Sequence, residues 1–194
     1  MMFKRLVQSG LTLVLLGLAL VVQQEPAHAA GTVYGPYYLM NVGAADAGNL
    51  QCLADPGAST ANNVQQILWN CGSSGQKFSN ETAVTTTDYW TFNYANGRCL
   101  APLNASRASG AAIVQTACTT ATSGRWAYHY VGDGSLTVAD FGGQLRASTL
   151  VFTIQNLNSG LCISAKNGGS IAGTQLVQVA CSSAAADKWV QFPA

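Results

Sequence analysis

The chain has 194 residues, of which only 9% are charged, and a formal net charge of +1. Soluble domains usually carry about a quarter charged residues; here polarity comes instead from Asn, Gln, Ser, Thr and Gly. Such a surface has no electrostatic grip on phosphate backbones or anionic lipid, which excludes nucleic acid and membrane as expected partners.

Residues 1–30 read as a secretory signal peptide. Lys4 and Arg5 precede the apolar run 11–22, and a polar stretch then ends in Ala27-His28-Ala29-Ala30. That order of basic, apolar and small residues marks export, and the run is too short to span a bilayer as a helix. Nine basic residues less Lys4 and Arg5 then meet eight acidic less Glu25, a formal net charge of zero. About 165 residues remain, enough for one domain over 31–194 with a real core. The expected product is secreted, extracellular and monomeric.

After the signal, short β-like stretches recur at intervals. The first, Tyr37-Tyr38-Leu39-Met40-Asn41, leads through an extra-long turn at residues 44–48 to Cys52-Leu53 and then to Gln65-Gln66-Ile67-Leu68-Trp69-Asn70-Cys71. The second, Tyr89-Trp90-Thr91-Phe92-Asn93, leads to Cys99-Leu100 and then to Ala111-Ala112-Ile113-Val114-Gln115-Thr116-Ala117-Cys118. The third, Phe152-Thr153-Ile154-Gln155-Asn156, leads to Cys162-Ile163 and then to Thr174-Gln175-Leu176-Val177-Gln178-Val179-Ala180-Cys181. Each cysteine pair encloses eighteen residues, and seven or eight residues later stands an aromatic: Phe78, Trp126 or Trp189. Three repeats are therefore expected, over about 37–80, 89–131 and 152–192.

Six cysteines in an exported chain point to disulfides rather than metal. Fifteen pairings are possible, and the shared interval selects Cys52–Cys71, Cys99–Cys118 and Cys162–Cys181. On the chain-entropy model each bond stabilises the fold by roughly 3 kcal/mol. No C-x-x-C pair suggests zinc, and no cofactor is expected.

The segments are four to seven residues long, rich in β-branched and aromatic residues and bounded by Gly/Asn/Ser turns, so they read as about four strands per repeat. No sustained helical period follows the signal. Three units are too few for a propeller, and units near 45 residues are too long for a β-helix turn. The remaining solution is an all-β fold in which three pseudo-symmetric repeats close around one axis, a β-trefoil. Residues 131–151 are extra, and Gly132-Asp133-Gly134 between Tyr128/Tyr130 and Leu136/Val138 reads as a hairpin turn.

The residues also resemble a known family. An Asn-bearing strand, then Asn158-Ser159-Gly160-Leu161-Cys162-Ile163 or Asn96-Gly97-Arg98-Cys99-Leu100, then a second cysteine and a Q-x-W-like triplet, is similar to the ricin B-type lectin repeat. Gln76-Lys77-Phe78 keeps the glutamine of that triplet, while Gly124-Arg125-Trp126 and Asp187-Lys188-Trp189 keep the tryptophan. The resemblance implies a secreted carbohydrate-binding trefoil whose partner is a glycan or polysaccharide.

What recurs in all three repeats is demanded by the fold; what appears once is a candidate for function. Phe78, Trp126 and Trp189 are then core, and Asn41, Asn93 and Asn156 bond the backbone. Sugar sites need a carboxylate, an amide and an aromatic face. The resemblance puts the carboxylate two residues after the first cysteine, where this chain has Ala54, Ala101 and Ser164. It puts the aromatic two before the second cysteine, where only the first repeat complies, with Trp69.

The best candidate site is therefore Asp55 (one place late), Trp69, Asn70 and Gln76, with Asp55 useful only if the turn at Pro56-Gly57 brings it back. The other repeats offer Asn104 and Gln115, then Asn167, Gln178 and Asp187. The rival expectation is a secreted trefoil that has lost sugar binding and serves as a protein-partner or structural module. Catalysis is not expected, because after the signal the one histidine is His129, and no spacing singles out a carboxylate pair.

Overall fold

A computed structural model describes residues 31–83, 87–93, 95–134 and 149–194. The signal peptide and the Leu136/Val138 stretch lie outside the described residues. Among the described residues the chain forms thirteen strands. They are β1 (Val33–Asn41), β2 (Gln51–Ala54), β3 (Val64–Gln65), β4 (Ile67–Asn70), β5 (Phe78–Thr82), β6 (Asp88–Asn93) and β7 (Cys99–Pro102), followed by β8 (Ile113–Thr116), β9 (Arg125–Gly134), β10 (Thr149–Asn156), β11 (Cys162–Ala165), β12 (Leu176–Val179) and β13 (Lys188–Pro193).

Six of these strands close a ring. β1 pairs with β13, β13 with β10, β10 with β9, β9 with β6, β6 with β5, and β5 returns to β1, every step antiparallel. Closure removes the open edges that would otherwise invite pairing with another chain. The hairpins β2–β4, β7–β8 and β11–β12 are joined to one another through β3–β8 and the bridges Ile67–Gln175 and Ala112–Val177.

The three disulfides are those the spacing selects, with Cα atoms 5.0, 4.9 and 4.9 Å apart. Phe78, Trp126 and Trp189 are buried, and with Leu53, Leu100 and Ile163 they belong to one core. The indole N–H of Trp126 donates to the Leu100 carbonyl at 2.9 Å, and that of Trp189 to the Ile163 carbonyl at 3.0 Å. Each ring thus ties its strand to the residue after the first cysteine of its own hairpin. Phe78 fills the corresponding place without a donor.

Asn41, Asn93 and Asn156 are also buried, and each stitches two segments together. Their side-chain amides donate to the carbonyls of Ala186, Gly75 and Ser123 at 2.9, 3.2 and 2.8 Å. Their side-chain oxygens accept from the backbone N–H of Ala44, Ala95 and Asn158. A buried amide satisfied at both ends cannot be replaced without orphaning backbone groups.

Two local expectations need correction. The long first turn is a helix, α1 (Val42–Asp46), too short for a helical period to register in sequence. Asn41 caps it, and Gly43 allows its close approach to the neighbouring turn, since a Cβ there would lie 3.0 Å from the Ala186 nitrogen. Gly132-Asp133-Gly134 is not a hairpin turn: these residues continue β9 and pair with Val151, Leu150 and Thr149. A register shift between Val151 and Phe152 leaves Val131 unpaired beside Gly132, whose φ is 135°.

Candidate functional site

Trp69 lies in β4 opposite Cys52, with Leu68 before it turned into the core. Alternation along the strand therefore faces Trp69 outward, and it is 48% exposed. It borders a cavity of about 320 Å³ together with Ala54, Asp55, Ile67, Ser73, Gly75 and the turn Pro56–Ala58. Gly57 sits in that turn at φ 70°, the left-handed region that suits glycine. Ile67, Ser73 and Gly75 were not foreseen from sequence, because they reach the cavity through the hairpin register and the turn that follows it.

Asp55 borders the same cavity but does not present its charge there. The residue is 4% exposed. Its Oδ2 accepts a long bond from the Asn96 amide at 3.5 Å, and its Oδ1 has no partner. Burial pushes its carboxyl up to about 6, although the Gln66 side chain and the Ser59 backbone favour the ionised form. The turn at Pro56-Gly57 has not brought the carboxylate out.

Gln76 is wholly buried and fully engaged. Its amide donates to the Trp69 and Asn70 carbonyls at 3.0 and 2.9 Å, and its Oε1 accepts from the Ser73 N–H at 2.8 Å. It therefore holds the strand under Trp69 in place rather than facing a ligand. Asn70 is exposed beside Trp69, and its Oδ1 accepts from the Gln51 amide at 2.7 Å.

The candidates in the other two repeats serve the scaffold. Gln115 donates to the carbonyls of Ser59 and Ala61 at 2.7 and 2.8 Å, and Gln178 donates to those of Ser106 and Ala108 at 2.8 and 2.9 Å. Each is buried and clamps the loop of the preceding unit to its own hairpin. Asn104 and Asn167 are exposed at φ 55° and 56° in turns matching that of Gly57, a conformation that Asn tolerates better than most residues. Asp187 is buried and accepts from the Ser182 hydroxyl at 2.6 Å, which closes its own turn. Thr116 and Val179 stand where the first repeat has Trp69, so these polar groups have no ring at the corresponding place.

Replacing Gln178 by alanine should cost about 2 kcal/mol, because the Ser106 and Ala108 carbonyls lose their donor. Urea titration checks it.

A larger groove of about 690 Å³ runs along the Cys99–Cys118 bridge, bounded by Glu81 and Arg98. Its tryptophan, Trp90, is 6% exposed and donates its indole N–H to the Thr119 carbonyl, and Phe92 beside it is half-buried. His129 bonds to the Gln155 side chain at 2.9 Å. Among the described residues, no group of three His, Cys, Asp or Glu could hold a metal ion.

No protein-family model and no curated protein matches the chain. Solved structures do. ThreeFoil, a designed 3-fold symmetric protein, superposes with a TM-score of 0.67 at 18% identity, covering 82% of this chain and 99% of that one. An exo-β-1,3-galactanase from Clostridium thermocellum superposes with a TM-score of 0.67 at 19% identity, covering 83% of this chain and 31% of that one. The Polyporus squamosus lectin, solved bound to a human-type influenza-binding epitope, gives a TM-score of 0.59 at 14% identity, covering 84% and 49%.

The fold is a β-trefoil. The chain thus spans nearly all of the designed β-trefoil, but about a third of the galactanase and half of the lectin. On this β-trefoil, the ring of Trp69 stands where the hairpin β2–β4 meets the turn at Gly75.

Proposed function

We propose that this protein is an exported glycan-binding β-trefoil of three pseudo-symmetric units, with one surviving side site at Trp69. The observation that carries the reading is the half-exposed indole of Trp69 beside a cavity in an otherwise neutral, amide-rich surface. A ring face of this kind covers the C–H side of a sugar, while the turn backbone and Ser73 supply hydrogen bonds to hydroxyls. Structural neighbours that are lectins support it, and three disulfides fit an oxidising compartment.

Binding at Trp69 is weak by construction. The carboxylate that would grip a pair of hydroxyls is turned inward at Asp55. The second and third repeats, whose amides are committed to turns and clamps, bind nothing at the corresponding places.

A glycan array with the exported form and with Trp69→Ala tests this. The expected result is binding to neutral glycans that falls about tenfold or more in the variant, with an unchanged melting temperature. Equal binding by the variant removes Trp69 from the site. No binding by either form favours the rival role of a protein-partner or structural module.

A further inference from the structure

We propose that the mouth of the six-stranded barrel is a second binding site, shaped for a single neutral pyranose ring. The proposal rests on the reading of the chain as a glycan binder but not on the Trp69 platform.

Every strand of the ring lends at least one residue to the lining of a cavity of about 330 Å³, six of them at matching places. Three of them, Tyr37, Tyr89 and Phe152, lie four residues before Asn41, Asn93 and Asn156 in β1, β6 and β10. The other three, Asn80, Tyr128 and Gln191, lie two residues after Phe78, Trp126 and Trp189 in β5, β9 and β13. The first triad is aromatic throughout, as a wall demanded by the fold would be. The second differs in every unit and is polar in every unit, although nothing in barrel packing calls for polar groups there.

The wall is built from rings packed edge to face. Tyr89 and Tyr128 have centroids 5.9 Å apart at 82°, and Tyr128 and Phe152 are 6.1 Å apart at 76°. Tyr34 joins them, edge-on to Tyr89 at 6.3 Å. Residues three apart on a regular strand face opposite sides. The register shift between Tyr34 and Tyr37 in the β1–β5 pairing lets both border the cavity.

The polar groups are held in place. The Asn80 Oδ1 accepts from the Thr91 hydroxyl at 2.9 Å and from the Tyr128 hydroxyl at 3.0 Å. With that oxygen committed, the atom Asn80 offers a ligand is its Nδ2 donor. Burial pushes the Tyr128 phenol up to about 12, which keeps it neutral in any physiological medium. Gln191 adds a second amide from β13.

The ligand class follows from this lining. Among the described residues no charged side chain borders the cavity, so an ionic ligand finds no counter-charge there. The volume is at the small end for ligand pockets, which suits one ring rather than an oligosaccharide. A purely apolar ring would strand two amides without partners, whereas a pyranose sets its C–H face on tyrosine and its hydroxyls on Asn80 and Gln191.

The test is an NMR titration of the exported protein with methyl β-D-galactopyranoside and methyl α-D-glucopyranoside, and with indole as the apolar probe. It is run on the natural chain, on Trp69→Ala and on Gln191→Leu, which keeps the bulk of Gln191 without its amide. A glycoside should shift the Gln191 side-chain amide and the Tyr89 and Phe152 rings. Those shifts should persist in Trp69→Ala and weaken at least tenfold in Gln191→Leu. Shifts confined to Trp69 overturn the barrel site and leave the side site standing. Shifts confined to the barrel mouth do the reverse. A mouth that responds to indole alone overturns the sugar assignment, and silence toward every probe overturns the site.

Discussion

Trp126→Ala should destabilise the fold by about 4 kcal/mol and lower its melting temperature by about 10 °C. The indole is fully buried in the main core, so truncation leaves a large cavity that rigid neighbours such as Leu100 and Ile154 cannot fill. It also orphans the Leu100 carbonyl, which now accepts the indole N–H at 2.9 Å. Domains of this size have only about 5–15 kcal/mol in hand, so a single such change takes a large share.

Trp126→Phe should cost only about 1–2 kcal/mol, because Phe78 shows that this place in a unit accepts a phenyl ring. Urea denaturation with unchanged slope is the measurement. A cost for Trp126→Ala no larger than that for the exposed Trp69→Ala would mean that the core is not built around these three rings.

Asp55 should make the protein more stable in mild acid than at neutrality. Its carboxyl titrates near 6 in the folded chain, against about 3.9 when unfolded. Between those values the folded state holds the proton that the unfolded state has released. Stability is therefore full below about pH 4, falls as the pH rises to about 6, and is level above that. Solvent screening discounts the effect, leaving a loss on the order of 1 kcal/mol.

The physical origin lies in the hairpins. Extending the β2–β4 register by one step sets Asp55 against Gln66, where the other hairpins set Pro102 against Ile113 and Ala165 against Leu176. The first repeat thus buries a polar pair where its counterparts bury an apolar one, and Asp55 Oδ1 and Gln66 Oε1 are both without partners. Asp55→Asn should flatten the profile between pH 4 and 6 and gain about 1 kcal/mol at pH 7. Denaturation midpoints across pH 4–8 for both proteins decide it. A variant that keeps the slope, or is weaker at pH 7, would show that the carboxylate is adequately solvated.

Much of the scaffold was legible because it is written in intervals. Cysteine spacing selects the bridges, the aromatic seven or eight residues later marks the core, and the asparagine ending each first strand marks a stitch between segments. These are local regularities, and repetition in three units separates them from chance. The same sorting had the means to find the barrel mouth, since Asn80, Tyr128 and Gln191 share one place after the core aromatic. Only their differing chemistry hid them. Sequence alone could not place Gln115 and Gln178, because a buried clamp and a surface ligand group look alike until their carbonyl partners, more than fifty residues away, are known.

The order of residues alone determined the sulfur bridges and the identity of the large core side chains, because hydrophobic period and loop closure act along the chain. Only the tertiary structure decided which polar groups meet solvent. Asp55 faces inward, Trp69 outward, and residues from all six ring strands converge at the barrel mouth. Each of those outcomes depends on strand register and ring closure between distant segments, where a displacement of one residue moves a side chain to the opposite face.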